Sequence, residues 1–113
     1  SSTGKLRLHF REVELLELIN DVARASRHAM DTRLQRFHLD LPLQPITLVA
    51  DPIRLSQILS NLLDNASKYT PDGGEIRLTV GVQGENVLIT VADNGIGISA
   101  AGLWRVFEPF AQD

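Results

Sequence analysis

Apolar residues along the chain recur with periods of either about 3.6 or 2, and the switches between the two mark out its elements. Between Arg11 and Met30, the residues Val13, Leu15, Leu16, Leu18, Ile19, Val22, Ala23 and Ala29 return at helical spacing. Acidic residues concentrate in the first half of that stretch, where they suit the helix dipole, so a packing helix is predicted there. A second helix is predicted from Asp51 to Tyr69, with both ends written locally. Asp51 can accept from the free N–H groups of the first turn, Pro52 suits the first helical position, and Thr70-Pro71-Asp72-Gly73-Gly74 forbids continuation. Leu55, Ile58, Leu59, Leu62, Leu63 and Ala66 gather on one side of this helix as a face to be buried.

Period 2 governs most of what remains. Lys5-Leu6-Arg7-Leu8-His9-Phe10 alternates like a half-buried strand, and Arg36 to Leu41 and Ile46 to Ala50 read as two short strands joined by a turn stiffened by Pro42 and Pro45. Ile76, Leu78, Val80 and Val82 alternate with Arg77, Thr79, Gly81 and Gln83, which gives a strand with one buried face. Gly84-Glu85-Asn86 closes a hairpin, and the return strand from Val87 to Val91 is apolar on both sides, as suits a more central place in a sheet. Ser99 is expected to cap a short helix through Ala100, Ala101, Leu103, Trp104 and Val106, ahead of Pro109. The elements add up to a two-layer α/β sandwich, a mixed sheet covered on one face by helices.

Composition narrows the picture little. A chain of 113 residues is sized for one domain, spanning 1–113, and its 43% hydrophobic content is ordinary for a soluble globular protein. The net charge of -3 argues against nucleic acid as a partner, and the absence of cysteine excludes a disulfide framework or a thiolate metal site. No stretch approaches the apolar length that crosses a bilayer, no signal peptide is visible, and no repeat occurs.

Chemistry enters on the second helix. Beside its apolar stripe, Asn61, Asn65, Lys68 and Tyr69 point in a common direction at i, i+4, i+7 and i+8. Asn is a modest helix former because its amide competes for backbone groups, so two of them in mid-helix call for a reason. Carboxamide oxygens are hard ligands suited to Mg2+, which takes few protein ligands and fills its shell with water and substrate phosphates, while a lysine supplies charge for a phosphate oxygen. A solvated polar face would show the same residues, and their spacing does not separate the two readings. A second stretch does: Val87-Leu88-Ile89-Thr90-Val91-Ala92-Asp93-Asn94-Gly95-Ile96-Gly97-Ile98 is an apolar strand ending in a carboxylate and then two glycines. Glycine turns at strand ends are where a ligand can approach the backbone closely.

Together these stretches resemble the ATP-binding catalytic domain of sensor histidine kinases, a GHKL-superfamily (Bergerat-fold) ATPase domain related to DNA gyrase, heat-shock chaperone ATPases and mismatch-repair ATPases. Asp51 to Tyr69 looks like that family's N box, Asp93 to Gly97 like its first glycine box, and Phe107-Glu108-Pro109-Phe110 like its F box, in the family's order and spacing. The resemblance implies that ATP and Mg2+ lie between helix and sheet. Asn65 would coordinate Mg2+, Asn61 and Lys68 would face the phosphates as the catalytic pair, and Tyr69 would lie near adenine and ribose. Asp93 would accept from the adenine amino group, Gly95 and Gly97 would let the nucleotide lie against the chain, and Ile96 and Ile98 would offer apolar surface. Phe107 and Phe110 can be read as core aromatics or, by the resemblance, as a hinge for the loop over ATP, with Phe110 on the nucleotide side; both readings can hold. No Gly-x-x-x-x-Gly-Lys pattern occurs, so this is not a P-loop site.

Hydrolytic relatives carry Glu four residues before the magnesium Asn; here that residue is Asn61, and an amide cannot act as a general base. The resemblance therefore implies phosphoryl transfer from ATP to a histidine on a separate dimerisation domain of a homodimeric parent, feeding a response regulator or receiver domain. The domain itself would be cytoplasmic, whether or not the parent is anchored in the inner membrane. His9, His28 and His38 do not stand in the family's phosphoacceptor setting, and the sequence ends before the second glycine box and the closing elements. Autophosphorylation of this stretch alone is accordingly not expected. A non-catalytic module of the same fold and an ATP-hydrolysing relative are the alternatives.

Overall fold

Asp51 precedes the central helix in an extended conformation and starts it as the sequence predicts. Its Oδ1 accepts from the backbone N–H groups of Ile53 (3.1 Å) and Arg54 (3.2 Å), and Oδ2 accepts from His9 N–H (2.9 Å). These bonds, that from His9 foremost, hold the carboxyl below the ordinary carboxylate range against the opposing effect of its burial.

The computed structural model describes residues 7–93 together with the backbone of 104–106. The elements run β1 (Arg11–Glu14), α1 (Leu15–Thr32), β2 (Arg36–Asp40), β3 (Thr47–Ala50), α2 (Pro52–Tyr69), β4 (Glu75–Gln83), β5 (Asn86–Asp93) and β6 (Trp104–Val106). A four-stranded mixed sheet has the order β2-β4-β5-β6, and β1 pairs with β3 in a separate two-stranded ribbon. β2 runs parallel to β4 through a connection that contains α2, while β4 and β5 form the predicted antiparallel hairpin with Ile76 opposite Asp93 and Gln83 opposite Asn86. Both helices pack together, α2 against β5 and α1 against β2.

Alternation explains the core. Ile76, Leu78 and Val80 on β4 and Val87, Ile89 and Val91 on β5 are buried together with Leu15, Ile19, Val22 and Met30 of α1 and Leu55, Leu59, Leu63 and Ala66 of α2. Leu59 and Leu63 are fully buried, and truncating such a leucine to alanine costs about 2–5 kcal/mol. The buried stripe of α2 is narrower than hydrophobicity predicts. Ile58 stays 38% exposed because it lies about 100° round the helix from Leu59, and the polar Ser67 is buried in its stead.

Four expectations are corrected. The first strand is Arg11–Glu14 rather than Lys5 to Phe10: Leu8 and Phe10 are 51% and 59% exposed, and His9 N–H serves the Asp51 carboxylate instead of a ladder. Lys5 and Leu6 lie outside the described residues. The first helix begins at Leu15, not Arg11, because β3 offers residues 11–14 a partner and Glu14 caps the helix, its Oε1 accepting from Glu17 N–H and its Oε2 from Ile46 N–H. The strands Arg36 to Leu41 and Ile46 to Ala50 end in different sheets. Trp104–Val106, predicted as helix, forms a strand antiparallel to β5, whose open ladder edge recruits residues of strand-favouring type; 99–103 lie outside the described residues.

Helix α1 ends in a 6→1, 5→2 hydrogen-bonded turn. Gln35 N–H donates to Met30 O (2.9 Å) and Leu34 N–H to Asp31 O (2.9 Å), so Leu34 takes the left-handed position that usually belongs to glycine, with φ 59°. The same turn is tied to the segment after α2, since Gly73 N–H donates to Arg33 O (3.1 Å) and Arg36 N–H to Gly74 O (2.8 Å).

Two outcomes are expected. Leu34→Gly should stabilise the fold by about 1 kcal/mol, because a left-handed leucine costs about 1–2 kcal/mol and part of that relief is spent on glycine's freedom when unfolded. The leucine is 76% exposed, so little burial is lost; chemical denaturation measures the gain, and a lower midpoint would refute it. The second concerns acid. A depressed folded-state pKa at Asp51 means that its stabilisation is complete above the ordinary carboxylate value and is lost as pH falls through the folded-state value. Thermal midpoints recorded from pH 6 to roughly 2.5, spanning the carboxylate range, should fall more steeply for the unaltered chain than for Asp51→Asn; parallel curves would contradict this.

Candidate functional site

Position along α2 separates its residues into a buried and an exposed set. Asn61, Asn65, Lys68 and Tyr69 are all exposed; Asn61, Asn65 and Tyr69 lie on the flank away from Leu63, and Lys68 stands beside them at the edge of the groove between α1 and α2. Ile58 lies seven residues before Asn65 and so on nearly the same line of the helix. The amide face therefore carries an exposed apolar side chain beside its polar ones, as protein surfaces commonly do.

Strand β5 supplies the facing acid. Asp93 continues the parity of Val87, Ile89 and Val91, all buried on the helix-covered side of the sheet, and it pairs with the fully buried Ile76. Its carboxylate is thus on the side where α2 lies, and it is half-buried. The chain leaves α2 at Tyr69 and enters β4 at Glu75, so the end of β5 that holds Asp93 is also the end at which α2 finishes. Topology brings Lys68, Tyr69 and Asp93 to one edge of the sandwich. Gly95, Ile96, Gly97, Ile98, Phe107 and Phe110 lie outside the described residues.

The last turn of α2 is held from a distant part of the chain. Ser67 O accepts from Arg33 Nη1 (2.6 Å) and Gln35 Nε2 (2.9 Å), and Thr70 O accepts from Gln35 Nε2 (2.8 Å) and Arg33 Nη2 (3.4 Å). Ser67 Oγ donates to Gln35 Oε1 at 2.7 Å, and Arg33 Nε donates to Asp72 Oδ1 at 3.2 Å. Gln35 and Ser67 are buried. Sequence reasoning missed Arg33 and Gln35, because their partners lie more than thirty residues on and nothing local marks a glutamine as buried. Beyond this clamp, the Lys68 ammonium stands 5.8 Å from the centre of the Tyr69 ring. Lys68 also borders a cavity of about 250 Å³ between α1 and α2, shared with Ser26, Met30, Arg33, Asp64 and Ser67.

The donor set suits a metal that arrives with its substrate. Among the described residues no group of three or more His, Cys, Asp or Glu side chains could hold a cation unaided. A neutral carboxamide such as that of Asn65 fits Mg2+, whose remaining ligands are phosphate oxygens and water. The three histidines stand apart: His9 and His28 are exposed, and His38 lies on β2 with Nε2 4.0 Å from Glu75 Oε1. Among the described residues no helix is long and apolar enough to cross a membrane.

Comparison with known proteins bears on the family and the fold. Residues 50–113 match the family described as histidine kinase-, DNA gyrase B-, and HSP90-like ATPase. The alginate biosynthesis sensor protein KinB of Pseudomonas aeruginosa is 33% identical over 110 residues, which is 97% of this chain and 18% of KinB. The catalytic domain of histidine kinase ThkA, free of nucleotide, superposes with a TM-score of 0.76 at 27% identity, covering 80% of this chain and 62% of that one. ThkA in complex with the response regulator protein TrrA gives a TM-score of 0.73 at 28% identity, over 79% of this chain and 27% of ThkA. The chain spans under a third of the length of the curated relatives it matches first. The match over 50–113, together with the fold shared with ThkA, places the chain in the histidine kinase-, DNA gyrase B- and HSP90-like ATPase family, as an ATP-binding catalytic domain of the sensor histidine kinase type.

Proposed function

We propose that this domain binds ATP together with Mg2+ and presents the γ-phosphoryl group to a histidine on a separate dimerisation domain of a homodimeric parent, from which it passes to a response regulator or receiver domain. The observation that carries the reading is the pairing of an exposed amide face on α2 with a half-buried acid on the helix side of β5. Asn65 offers its carboxamide oxygen to Mg2+. Asn61 and Lys68 neutralise and orient phosphate oxygens, and Tyr69 lies against adenine and ribose. Asp93 accepts from the adenine amino group, an interaction that reads the base by its donor. Gly95, Ile96, Gly97 and Phe110 are proposed to complete the nucleotide's surroundings from outside the described residues.

Phosphoryl transfer asks a protein chiefly for positioning and charge neutralisation, and the chain's groups are of those kinds. Asn61 stands where a hydrolase needs a carboxylate; it can hold a phosphate oxygen but cannot take a proton from water. The acceptor histidine is supplied by another domain, because His9, His28 and His38 are scattered over the surface and the outer face of the sheet. ThkA was captured with a response regulator, and an equivalent partner is proposed here. The domain is proposed to work in the cytoplasm, with any inner-membrane anchor belonging to the rest of the parent.

Ligand binding to the folded state alone raises its stability, by about 2.7 kcal/mol at a hundred times the dissociation constant. Mg-ATP is expected to raise the thermal midpoint of the chain by several degrees. Asn65→Asp, which sets a charge against the phosphates, and Asp93→Asn, which turns an acceptor into a donor, should each abolish that rise while leaving the fold intact. An undiminished shift in the Asp93 variant would remove the adenine assignment, and steady ATP turnover with no protein acceptor would replace the transferase by a hydrolase.

A further inference from the structure

We propose that Arg33 and Gln35 are positioning residues for the nucleotide site, holding Lys68 and Tyr69 in their working orientation through the carbonyls on either side of them. The inference rests on the ATP-binding reading above and adds to it a pair of residues that lie on neither α2 nor β5. Four hydrogen bonds, all donated from the α1–β2 turn, end on Ser67 O and Thr70 O and on no other α2 carbonyl among the described contacts. Between those two anchor points stand only Lys68 and Tyr69. Fixing the carbonyl before and the carbonyl after them fixes the backbone from which both side chains project.

No local cap closes the last turn of the helix. The residue after the helix, Thr70, is extended with ψ 131°, and no glycine supplies a left-handed cap there. Thr70 Oγ1 is buried without a hydrogen-bond partner, so the threonine contributes its carbonyl to the clamp and not its hydroxyl. On the flank toward α1 an open groove of about 250 Å³ borders Lys68, while Ser67 and Thr70 on either side of the pair are themselves buried. The two buried anchors and the hydrogen bonds that end on their carbonyls together set its position. The donors are prepared for that work: Leu34, between them, adopts a left-handed backbone at φ 59° with an exposed side chain, so the strained conformation serves the turn's direction and not the leucine's burial. Gln35 is oriented in turn by Ser67 Oγ at 2.7 Å and Arg33 by Asp72 at 3.2 Å.

Affinity for Mg-ATP separates positioning from mere support, when measured by calorimetry well below the thermal midpoint, where each variant is folded by circular dichroism. Gln35→Met keeps the volume and removes both donors, and should weaken binding roughly tenfold; Arg33→Lys keeps the charge, loses the fork, and should weaken it roughly threefold with the fold intact. In a Lys68→Ala background the Gln35→Met factor should shrink to about twofold, since the clamp then has one side chain fewer to position. The same loss in both backgrounds, or affinity unchanged in both variants while only the midpoint falls, overturns the proposal and leaves the ATP-binding reading standing. No binding of Mg-ATP by the unaltered chain overturns both.

Discussion

The last carbonyls of an α-helix have no partner within the helix, and a helix that ends at a binding site must have them satisfied without covering the site. In this domain the donors come from behind, from the turn that follows the other helix. Arg33 and Gln35 reach Ser67 O and Thr70 O from the α1 side, which leaves the opposite flank of α2, with Asn61, Asn65 and Tyr69, open. Breaking such contacts leaves buried acceptors unpaired at roughly 1–3 kcal/mol each, a penalty comparable with that of truncating a core leucine. The clamp is thus a join between the helices that leaves that flank uncovered.

The sheet contributes the complementary constraint. Because side chains alternate along a strand, a carboxylate can face the helix layer only at a parity otherwise filled by Val87, Ile89 and Val91. Placed in mid-strand, an acid of that parity would be buried unpaired; placed at the end of β5 it remains half-buried and within reach of solvent. Asp93 therefore sits at an end of this strand where its side chain reaches solvent on the helix side, and the parallel β2–β4 connection brings the C-terminal end of α2 to that same edge. Rigidity at the other end of α2 follows from Asp51, whose carboxylate joins the helix start to the backbone ahead of β1.

What could be read in the sequence was whatever local chemistry dictates. The Asp51-Pro52 start, the stop at Thr70, the 84–86 hairpin and the alternation of β4 and β5 each rest on neighbours within a few residues, and each stands in the structure. Residues 11–14 escaped because their strand state depends on a partner at 47–50, and Trp104–Val106 because an edge of β5 recruits them. Helical spacing groups Ile58 with Leu55, Leu59, Leu62 and Leu63, yet it stands at the edge of that stripe, close to the line of Asn65, and is 38% exposed. Gln35 is the sharpest case: nothing near it in the sequence shows that it is buried, and its two acceptors lie 32 and 35 residues away.

The proposed chemistry and the amide at position 61 belong together. A hydrolase benefits from enclosing its nucleotide with a base and an ordered water, whereas a domain that hands a phosphoryl group to a side chain of another domain must leave the acceptor a path. An amide at position 61 removes the means of activating water and leaves a neutral group that can still bind a phosphate oxygen. In the proposed reaction, orientation would then carry the burden that a base would otherwise share, and transfer would be sensitive to small displacements of Lys68 and Tyr69. A hydrogen-bonded clamp just behind those two residues is the device such sensitivity requires, since it resists fraying of the last turn without adding bulk to the face that the acceptor must approach.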